Sequence, residues 1–447
     1  MMNYFNILFN LIFKSKFAGY FAQYKNNNMK NIIYVSMVAI LAISLSGCQQ
    51  TYNGQLLGVL DRPTWNGKIN PYGMTYIPAG HFIIGASDQD ISFSLQQRSK
   101  EISIQGFYMD DTEITNNEYR QFTNYVRDSI AHVMLDHFEE TEDGGQKIDW
   151  TYDIFWDDPE DKAALSEMFY DESEQYNGIT EIDTRSLVYE FDSYDWKAAA
   201  SPSNKDVPRS SFIKSYVTEI YPDTLVWVRD FSYSYNEPMT RNYYWHPAFD
   251  DYPVVGVDWD QANAFSAWRT KFWNDYKKIN GETNGEEFRL PFEHEWEYAA
   301  RGGLNNSPYP WGGPYLRNKK GCVLANFKPG RGNYAEDGGF YTVRADAYNP
   351  NDYGLYNMSG NVAEWTSSAF HENAYAFQFD MNPDIRYDSK ESDAPTLKRK
   401  VLRGGSWKDI AYYLQTGTRH WEYEDTAKAY IGFRNALTFL GRSMNDF

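Results

Sequence analysis

Residues 289–303 of this 447-residue chain read Arg-Leu-Pro-Phe-Glu-His-Glu-Trp-Glu-Tyr-Ala-Ala-Arg-Gly-Gly. Pro291 suits the first turn of a helix, because it has no backbone N–H to leave unpaired and its φ angle is already helical. Trp296 and Ala300 are four residues apart and therefore share one helical face. The glycine pair at 302–303 favours the left-handed conformation that commonly ends a helix. The stretch predicts a short helix closed by two glycines.

Two longer helices are predicted upstream of this stretch. Thr115 and Glu118 form a capping box, in which each side chain can bond to the backbone N–H of the other residue. Apolar residues follow the box at helical spacing, namely Tyr119, Phe122 and Val126. Asp258 can cap a second helix, whose predicted buried stripe is Ala262, Phe265, Trp268 and Phe272. Short strands are predicted at residues 74–77, 81–85 and 102–109, the first two joined by a turn.

The charge balance is strongly acidic, with 61 Asp and Glu against 42 Lys and Arg and a net charge of −19. Such a surface argues against nucleic acid and anionic lipid headgroups as partners. It suits a basic protein partner or bound cations, and acidity for solubility alone explains it equally well. Aromatic residues make up 18% of the chain, which favours a loop-rich architecture and interaction surfaces.

Near the N-terminus, residues 45–48 read Leu-Ser-Gly-Cys and follow an apolar run of 14 residues. This run is shorter than the roughly 20 residues that a membrane-spanning helix needs. A lipoprotein signal peptide is therefore predicted over residues 29–47, with lipid attachment at Cys48 and a tether over residues 48–70. The alternatives are an ordinary signal peptide or a membrane-spanning helix. Residues 1–28 are predicted to be an upstream extension, with Met29 as the true start.

The main domain is predicted to span residues 71–440. Its acidic and aromatic segment at about residues 136–244 has no clear period, yet it is too apolar for simple disorder. We expect it to be an insertion packed on the core. The two cysteines, Cys48 and Cys322, allow no disulfide framework once Cys48 carries a lipid. Cys322 is expected to be a small buried apolar residue without a role.

Familiar enzyme motifs are missing from the sequence. There is no phosphate-binding Walker loop and no Gly-x-Ser-x-Gly elbow. His294 and Glu295 begin like a zinc-protease helix, but no second histidine follows at the required spacing.

Two loops rich in oxygen ligands are better candidates for a site. Asn357 and Glu364 offer side-chain oxygens, and the carbonyls of Gly360 and Val362 lie between them. Asn326 and the segment 337–339 could form a second set. Calcium takes six to eight such hard ligands. Turns satisfied by their own Asn and Asp hydrogen bonds are the alternative explanation.

Several strings, taken in order, resemble the formylglycine-generating-enzyme (sulfatase-modifying factor) domain from about residue 73 to residue 436. They lie at residues 73–85, 107–116, 253–257, 289–303, 354–357, 360–366, 403–407 and 432–434. The resemblance implies an α+β fold with little regular secondary structure, related to C-type lectin folds.

The resemblance also implies two Ca²⁺ sites. The positions that match the family's ligands are Asn326, the Phe327 carbonyl, Asp337 and Gly339 for one site, and Asn357, the carbonyls of Gly360 and Val362, and Glu364 for the other.

The enzyme of this family oxidises a substrate cysteine with a copper-binding cysteine pair that follows the Gly-Gly-Ser-aromatic string. In this chain the matching positions are Asp409 and Leu414. Copper(I) is a soft ion that needs thiolate ligands. The resemblance therefore implies a non-catalytic domain, and no copper is expected.

A further resemblance covers the mature chain. Residues 54–59, 221–231 and 244–249 resemble gliding-motility lipoproteins of the GldK/PorK type. This implies a structural component of the type IX secretion system, lipid-anchored at the periplasmic face of the outer membrane. It would form a ring with itself and with a GldN/PorN-type periplasmic protein. The alternatives are a metal-dependent oxidase with relocated ligands and a carbohydrate-binding surface lipoprotein.

The lipid anchor gives a direct prediction. Cys48→Ser removes the sulfur that would carry the lipid, so the protein should move from the membrane fraction to the soluble fraction. Fractionation of cells followed by immunoblotting measures this. Cys322→Ser is the matched control and should stay with the membranes; if Cys48→Ser stays there too, the lipidation hypothesis fails.

Overall fold

The structure, a computed structural model, describes residues 71–86, 99–141, 144–330 and 333–441. The chain divides into two units, residues 1–68 and residues 69–447, and every described residue belongs to the second unit. The predicted upstream extension, signal peptide, lipid-bearing Cys48 and tether lie outside the described residues. Within the described ranges, no helix is both long and apolar enough to cross a membrane.

Helices and strands are separated by long irregular segments, which confirms the predicted α+β fold with little regular secondary structure. The α-helices are α1 (Asn116–Met134), α2 (Pro159–Ala164), α3 (Trp196–Ala199), α4 (Val226–Arg229), α5 (Glu237–Asn242), α6 (Trp259–Ile279), α7 (Glu293–Arg301) and α8 (Ala374–Phe377). The strands are β1 (Met74–Ile77), β2 (Gly80–Ile84), β3 (Lys100–Ile104), β4 (Phe107–Asp110), β5 (Phe138–Glu140), β6 (Gln146–Ile148), β7 (Val188–Tyr194), β8 (Ile213–Glu219), β9 (Ala363–Ala369), β10 (Arg399–Arg403), β11 (His420–Tyr423), β12 (Ile431–Gly432) and β13 (Ala436–Thr438).

Within the described ranges, the strands form two small sheets and three two-stranded pairs. One sheet has the order β1-β4-β13, and the other has the order β11-β10-β9-β12, in which β12 runs parallel to β9. The predicted strand–turn–strand at the start of the domain is present as β1 and β2. These two strands do not pair with each other, because β1 pairs with β4 and β2 pairs with β3.

The two long helices begin as the sequence predicts. In α1, the Thr115 hydroxyl accepts from the Glu118 backbone N–H, and the Glu118 carboxylate accepts from the Thr115 N–H at 2.8 Å. In α6, Asp258 and Gln261 form the same reciprocal pair. The predicted buried stripes are confirmed except at Phe272, whose side chain is exposed. Phe272 lies one turn beyond Trp268, where α6 has passed the edge of the core, and it stacks on Trp268 from the solvent side.

The predicted insertion packs on the core. Leu165, Met168, Leu187 and Ile220 are buried within the same apolar cluster as the residues of α1 and α6. The rest of the segment consists of the β5–β6 hairpin, the longer β7–β8 hairpin and short helical turns.

Helix α7 lies at the centre of the domain. It begins at Glu293, two residues after Pro291, and Gly302 ends it with a φ angle of 58°. All nine of its residues are buried, including its three glutamates, which the sequence pattern had not predicted. A buried carboxylate is stable only if it is paired.

The pairs of Glu297 cross-link distant segments. Its carboxylate accepts from Arg403 Nη2 of β10 at 2.6 Å, from Arg301 Nη2 one turn later in α7 at 2.6 Å, and from the backbone N–H of Gly85 at 2.9 Å. Glu293 in turn faces Arg403 and Arg419, and it accepts from the Tyr375 hydroxyl at 3.0 Å. The helix therefore connects strands β2 and β10 through charge as well as apolar packing.

Replacing Glu297 with Gln tests this network. Arg301 and Arg403 would stay buried with too little negative charge, so the free energy of unfolding should fall by about 3–5 kcal/mol. Urea unfolding followed by circular dichroism measures the change.

The matched control is Glu139→Gln, which breaks a surface pair with Lys147. It should leave the free energy of unfolding nearly unchanged, because water and salt screen an exposed pair. Equal, small losses in the two variants would show that the buried network does not stabilise the fold.

Candidate functional site

A cleft of about 330 Å³, counting its open mouth, lies beside the string Arg403-Gly404-Gly405-Ser406-Trp407. Strands β9 and β10 form one wall, and the segment after β10 forms the other. Its lining residues are Ala363, Leu402, Arg403, Gly404, Gly405, Lys408, Asp409, Tyr413, Thr418, His420 and Tyr430.

The two glycines hold this string close to its neighbours. A Cβ atom at Gly404 would lie 3.1 Å from the Trp296 ring of α7, and one at Gly405 would lie 2.7 Å from the carbonyl oxygen of Tyr413. Both glycines have positive φ angles. The backbone of the cleft is therefore fixed against α7 on one side and against the following turn on the other.

Of the two positions that match the family's cysteine pair, Asp409 lines this cleft, while Leu414 lies behind Gly405, where a Cβ atom would be 3.1 Å from the Leu414 side chain. The Asp409 carboxylate accepts from the Ser406 hydroxyl at 2.6 Å. Leu414 is fully buried and packs with Tyr309 and Phe327. One position therefore carries a hydrogen-bonded carboxylate and the other an apolar side chain.

Cys322 lies elsewhere and is exposed, so the expectation of a buried residue is wrong. It follows a tight turn in which the Asn318 side chain accepts from the Cys322 N–H at 3.0 Å. The turn satisfies its own backbone at the surface, and no core element covers it.

The cleft is lined by charged and aromatic groups instead of thiols. The Lys408 ammonium lies 3.2 Å from the centre of the Tyr430 ring. Burial lowers the pKa of Lys408, and the carboxylates of Asp409 and Asp230 oppose that shift. Burial also lowers the pKa of His420, which favours its neutral form.

The first predicted calcium loop is assembled in the structure. The Asp337 carboxylate is buried and accepts from the backbone N–H groups of Phe327 at 2.7 Å and Gly339 at 3.3 Å. The Asn326 amide nitrogen donates to the Tyr341 carbonyl at 2.8 Å, which leaves its oxygen on the other side. A Cβ atom at Gly339 would lie 3.1 Å from that oxygen. Asp337 therefore contacts Phe327 and Gly339, and Asn326 lies beside Gly339, with Phe327 joined to the loop through its N–H.

The buried carboxylate of Asp337 has no positively charged partner among the described residues. Burial raises the pKa of Asp337, against the effect of its backbone hydrogen bonds. Among the residues that the structure describes, no lysine or arginine forms an ion pair with Asp337. A buried carboxylate beside an amide oxygen and carbonyls is a donor set that fits a hard cation such as Ca²⁺.

At the second predicted loop, the carboxylate already has a positively charged partner. Glu364 accepts from Arg434 Nε and Nη2, both at 2.7 Å, and from the Trp296 indole N–H at 2.7 Å. Asn357 is a donor here, with its amide nitrogen 2.8 Å from the Ala345 carbonyl. Because Arg434 neutralises Glu364, a cation would bind at this loop only if a further carboxylate lay beside it.

Glu113 is that carboxylate, and the sequence reasoning missed it. It is fully buried and accepts from the amide nitrogens of Asn357 at 3.1 Å and Asn361 at 3.0 Å. Burial raises its pKa to about 8, while Arg434 opposes the shift and Glu364 adds to it. With that pKa, Glu113 is mostly protonated at neutral pH, and the Glu364–Arg434 pair is balanced. A cation at this loop would therefore have to displace the Glu113 proton. The available signal was an acidic residue inside the family-like string at 107–116.

The two loops share a wall. The Asn361 N–H donates to the Asn326 carbonyl at 2.9 Å. Gly360 has a φ angle of 87°, and a Cβ atom there would lie 2.2 Å from the same carbonyl oxygen. Glycine is therefore required where the loops meet. Within the described ranges, no group of three or more His, Cys, Asp or Glu side chains could hold a metal ion, so any ion here would rely on amide and carbonyl oxygens.

The fold and site define a class of protein. The sulfatase-modifying factor enzyme 1-like domain matches residues 63–439, and the chain belongs to this family. The predicted family resemblance is thereby confirmed.

Particular relatives are similar over different lengths. The formylglycine-generating enzyme of Bos taurus is 28% identical over 378 residues, which are 83% of this chain and 76% of the relative. The inactive C-alpha-formylglycine-generating enzyme 2 of Bos taurus is 35% identical over 192 residues, 42% of this chain and 50% of the relative. Among solved structures, PvdO from Pseudomonas aeruginosa has a TM-score of 0.43 at 16% identity, covering 82% of this chain and 94% of that one.

Calcium binding at the first loop can be tested by thermal unfolding. Protein treated with EGTA should gain roughly 2–5 °C in Tm when Ca²⁺ is added to about 100-fold above its Kd. Asp337→Asn removes the unbalanced carboxylate and should abolish most of that gain.

Asp346→Asn, at an exposed acid paired with Arg344, is the control and should keep the gain. A Tm that does not respond to Ca²⁺ in the unmodified protein would contradict calcium binding at both loops.

Proposed function

We propose that this chain is a non-catalytic member of its family that serves as a structural lipoprotein of a protein secretion machine. The observation that carries the proposal is that Asp409, which lines the cleft, and Leu414, which is buried behind it, occupy the positions that match the family's cysteine pair.

The chemistry of the cleft supports this reading. Oxidation of a cysteine through copper(I) needs soft thiolate ligands. Asp409 offers a hard oxygen ligand that is already bonded to Ser406, and Leu414 offers none. Neither Cys48 nor Cys322 stands at these positions.

We also propose that Ca²⁺ binds to the two loops as a structural ion. Asn326, Asp337 and the carbonyls of Phe327 and Gly339 would hold one ion, and the second loop would use Asn357, Glu364 and the carbonyls of Gly360 and Val362, with Glu113 beside them. When bound, the ion supplies positive charge to buried carboxylates. It would fix the irregular loops that carry the cleft, and it takes no part in a reaction.

The sequence supports a cellular location for the protein. The Leu-Ser-Gly-Cys string at 45–48 supports a lipid anchor on Cys48, and the strings at 54–59, 221–231 and 244–249 support a type IX secretion and gliding component. We place the anchor in the outer membrane and the domain in the periplasm. There it would form a ring with itself and with a GldN/PorN-type protein.

Solubilisation of outer membranes tests this assignment. The tagged protein should elute from a detergent column as a large assembly, together with a basic periplasmic protein, and images of the peak should show rings. Elution as a monomer with no stoichiometric partner would contradict the proposal.

A further inference from the structure

The negative charge of the chain is concentrated in the insertion. Residues 136–244 contain 25 acidic and 9 basic residues, a net charge of −16 out of −19 for the whole chain. The remainder is close to neutral. An electrostatic field of this kind attracts positively charged partners and repels nucleic acid and anionic membranes.

Several aromatic side chains are exposed within the described part of this acidic segment, namely Trp150, Tyr152, Phe155, Tyr176, Trp196, Tyr233 and Tyr235. Two of them, Trp150 and Tyr152, lie two residues apart and pack on rings of α1 or of the turn that follows it, and we call this pair the aromatic platform. About half of each side chain is accessible, 48% for Trp150 and 55% for Tyr152. The Asp149 carboxylate accepts from the N–H of Thr151 at 2.9 Å and from its hydroxyl at 2.6 Å. This turn fixes the three-residue segment that carries both rings.

The platform is held rigid from behind. Trp150 stacks on Tyr125 of α1 with ring centres 5.2 Å apart, and its edge meets His132 at 5.1 Å. Tyr152 stacks on His137 at 4.6 Å. Because α1 is anchored in the core, these rings lose little conformational freedom when a partner covers them. Rigid, exposed aromatic residues are typical centres of binding energy at interfaces.

Rings in this region already bind cationic side chains within the chain. The Arg127 guanidinium lies 5.1 Å from the centre of the Trp156 ring, and the Lys271 ammonium lies 5.3 Å from the centre of the Tyr125 ring. The acidic residues Asp153 and Asp157 follow the platform in sequence and are exposed. Exposed carboxylates in the same segment add to the attraction of this surface for a cation.

We propose that the aromatic platform binds arginine and lysine side chains of a basic segment in a protein partner. The charge of this surface indicates a cationic partner, because ring faces and carboxylates both attract cations. Residues 136–244, which include the platform, carry a net charge of −16. This inference rests on the proposed function only in that a structural component needs a partner surface. It adds the location of that surface and the chemistry of its occupant.

The test uses the full chain in detergent and two fluorescein-labelled eight-residue peptides, one alternating Arg and Gly and one alternating Glu and Gly. Fluorescence anisotropy should show binding of the Arg peptide that weakens with salt, and no binding of the Glu peptide. The double variant Trp150→Ala/Tyr152→Ala should bind the Arg peptide at least about tenfold more weakly.

The matched control is Tyr315→Ala/Phe379→Ala, which removes two aromatic residues that are 75% and 83% exposed outside the insertion. It should bind the Arg peptide as the unmodified chain does. The inference is overturned if the platform variant binds normally, if the control variant loses binding equally, or if the unmodified chain does not bind the Arg peptide. Circular dichroism checks that each variant is folded.

Co-purification separates this inference from the proposed function. If the platform variant still elutes in a large assembly with its basic partner, the inference is wrong and the proposed function stands. If the unmodified chain forms no assembly, the proposed function is wrong, and the peptide experiment still decides whether the platform binds cations.

Discussion

The carboxylate of Glu297 is the constraint on which the domain depends. It lies in a helix that is buried along its whole length, and it accepts from Arg301, Arg403 and the backbone of Gly85. A carboxylate and two guanidinium groups are costly to remove from water unless each finds its partners. The segments that supply those partners must therefore come together around α7, although they are far apart in sequence.

The same helix positions the cleft and the candidate calcium loops. Trp296 donates to Glu364, and its ring packs against Gly404 at the edge of the cleft. Asp409 and Leu414, at the positions that match the cysteine pair, bond through their backbones to segments next to the candidate calcium loops. The Asp409 carbonyl accepts from the Lys328 N–H, and the Leu414 carbonyl accepts from the Ser359 hydroxyl at 2.7 Å. The backbone at Asp409 and Leu414 is therefore held by the segments that carry the two candidate calcium loops.

Local features of this fold could be predicted from the sequence, because capping boxes and the glycine that ends α7 depend only on neighbouring residues. The exposure of Phe272 could not, since it depends on where the core ends along α6. The burial of Glu297 and Glu113 could not be predicted from the sequence for a related reason. An acidic residue is normally expected at the surface, and only distant partners such as Arg403 make its burial possible. The candidate calcium loops were found from their oxygen-rich side chains, and the family resemblance supplied the full ligand sets, but the difference in charge between the two loops required the structure.

We propose that this chain does not carry out the oxidation known from its family, because Asp409 and Leu414 stand at the positions that match the copper-binding cysteine pair. The most direct measurement is turnover of a cysteine-containing peptide by the copper-supplemented chain, followed by mass spectrometry for the aldehyde product. We predict no product above the enzyme-free blank, and we predict copper(I) binding at the cleft only in the variant Asp409→Cys/Leu414→Cys. Formation of the aldehyde by the unmodified chain would contradict the account.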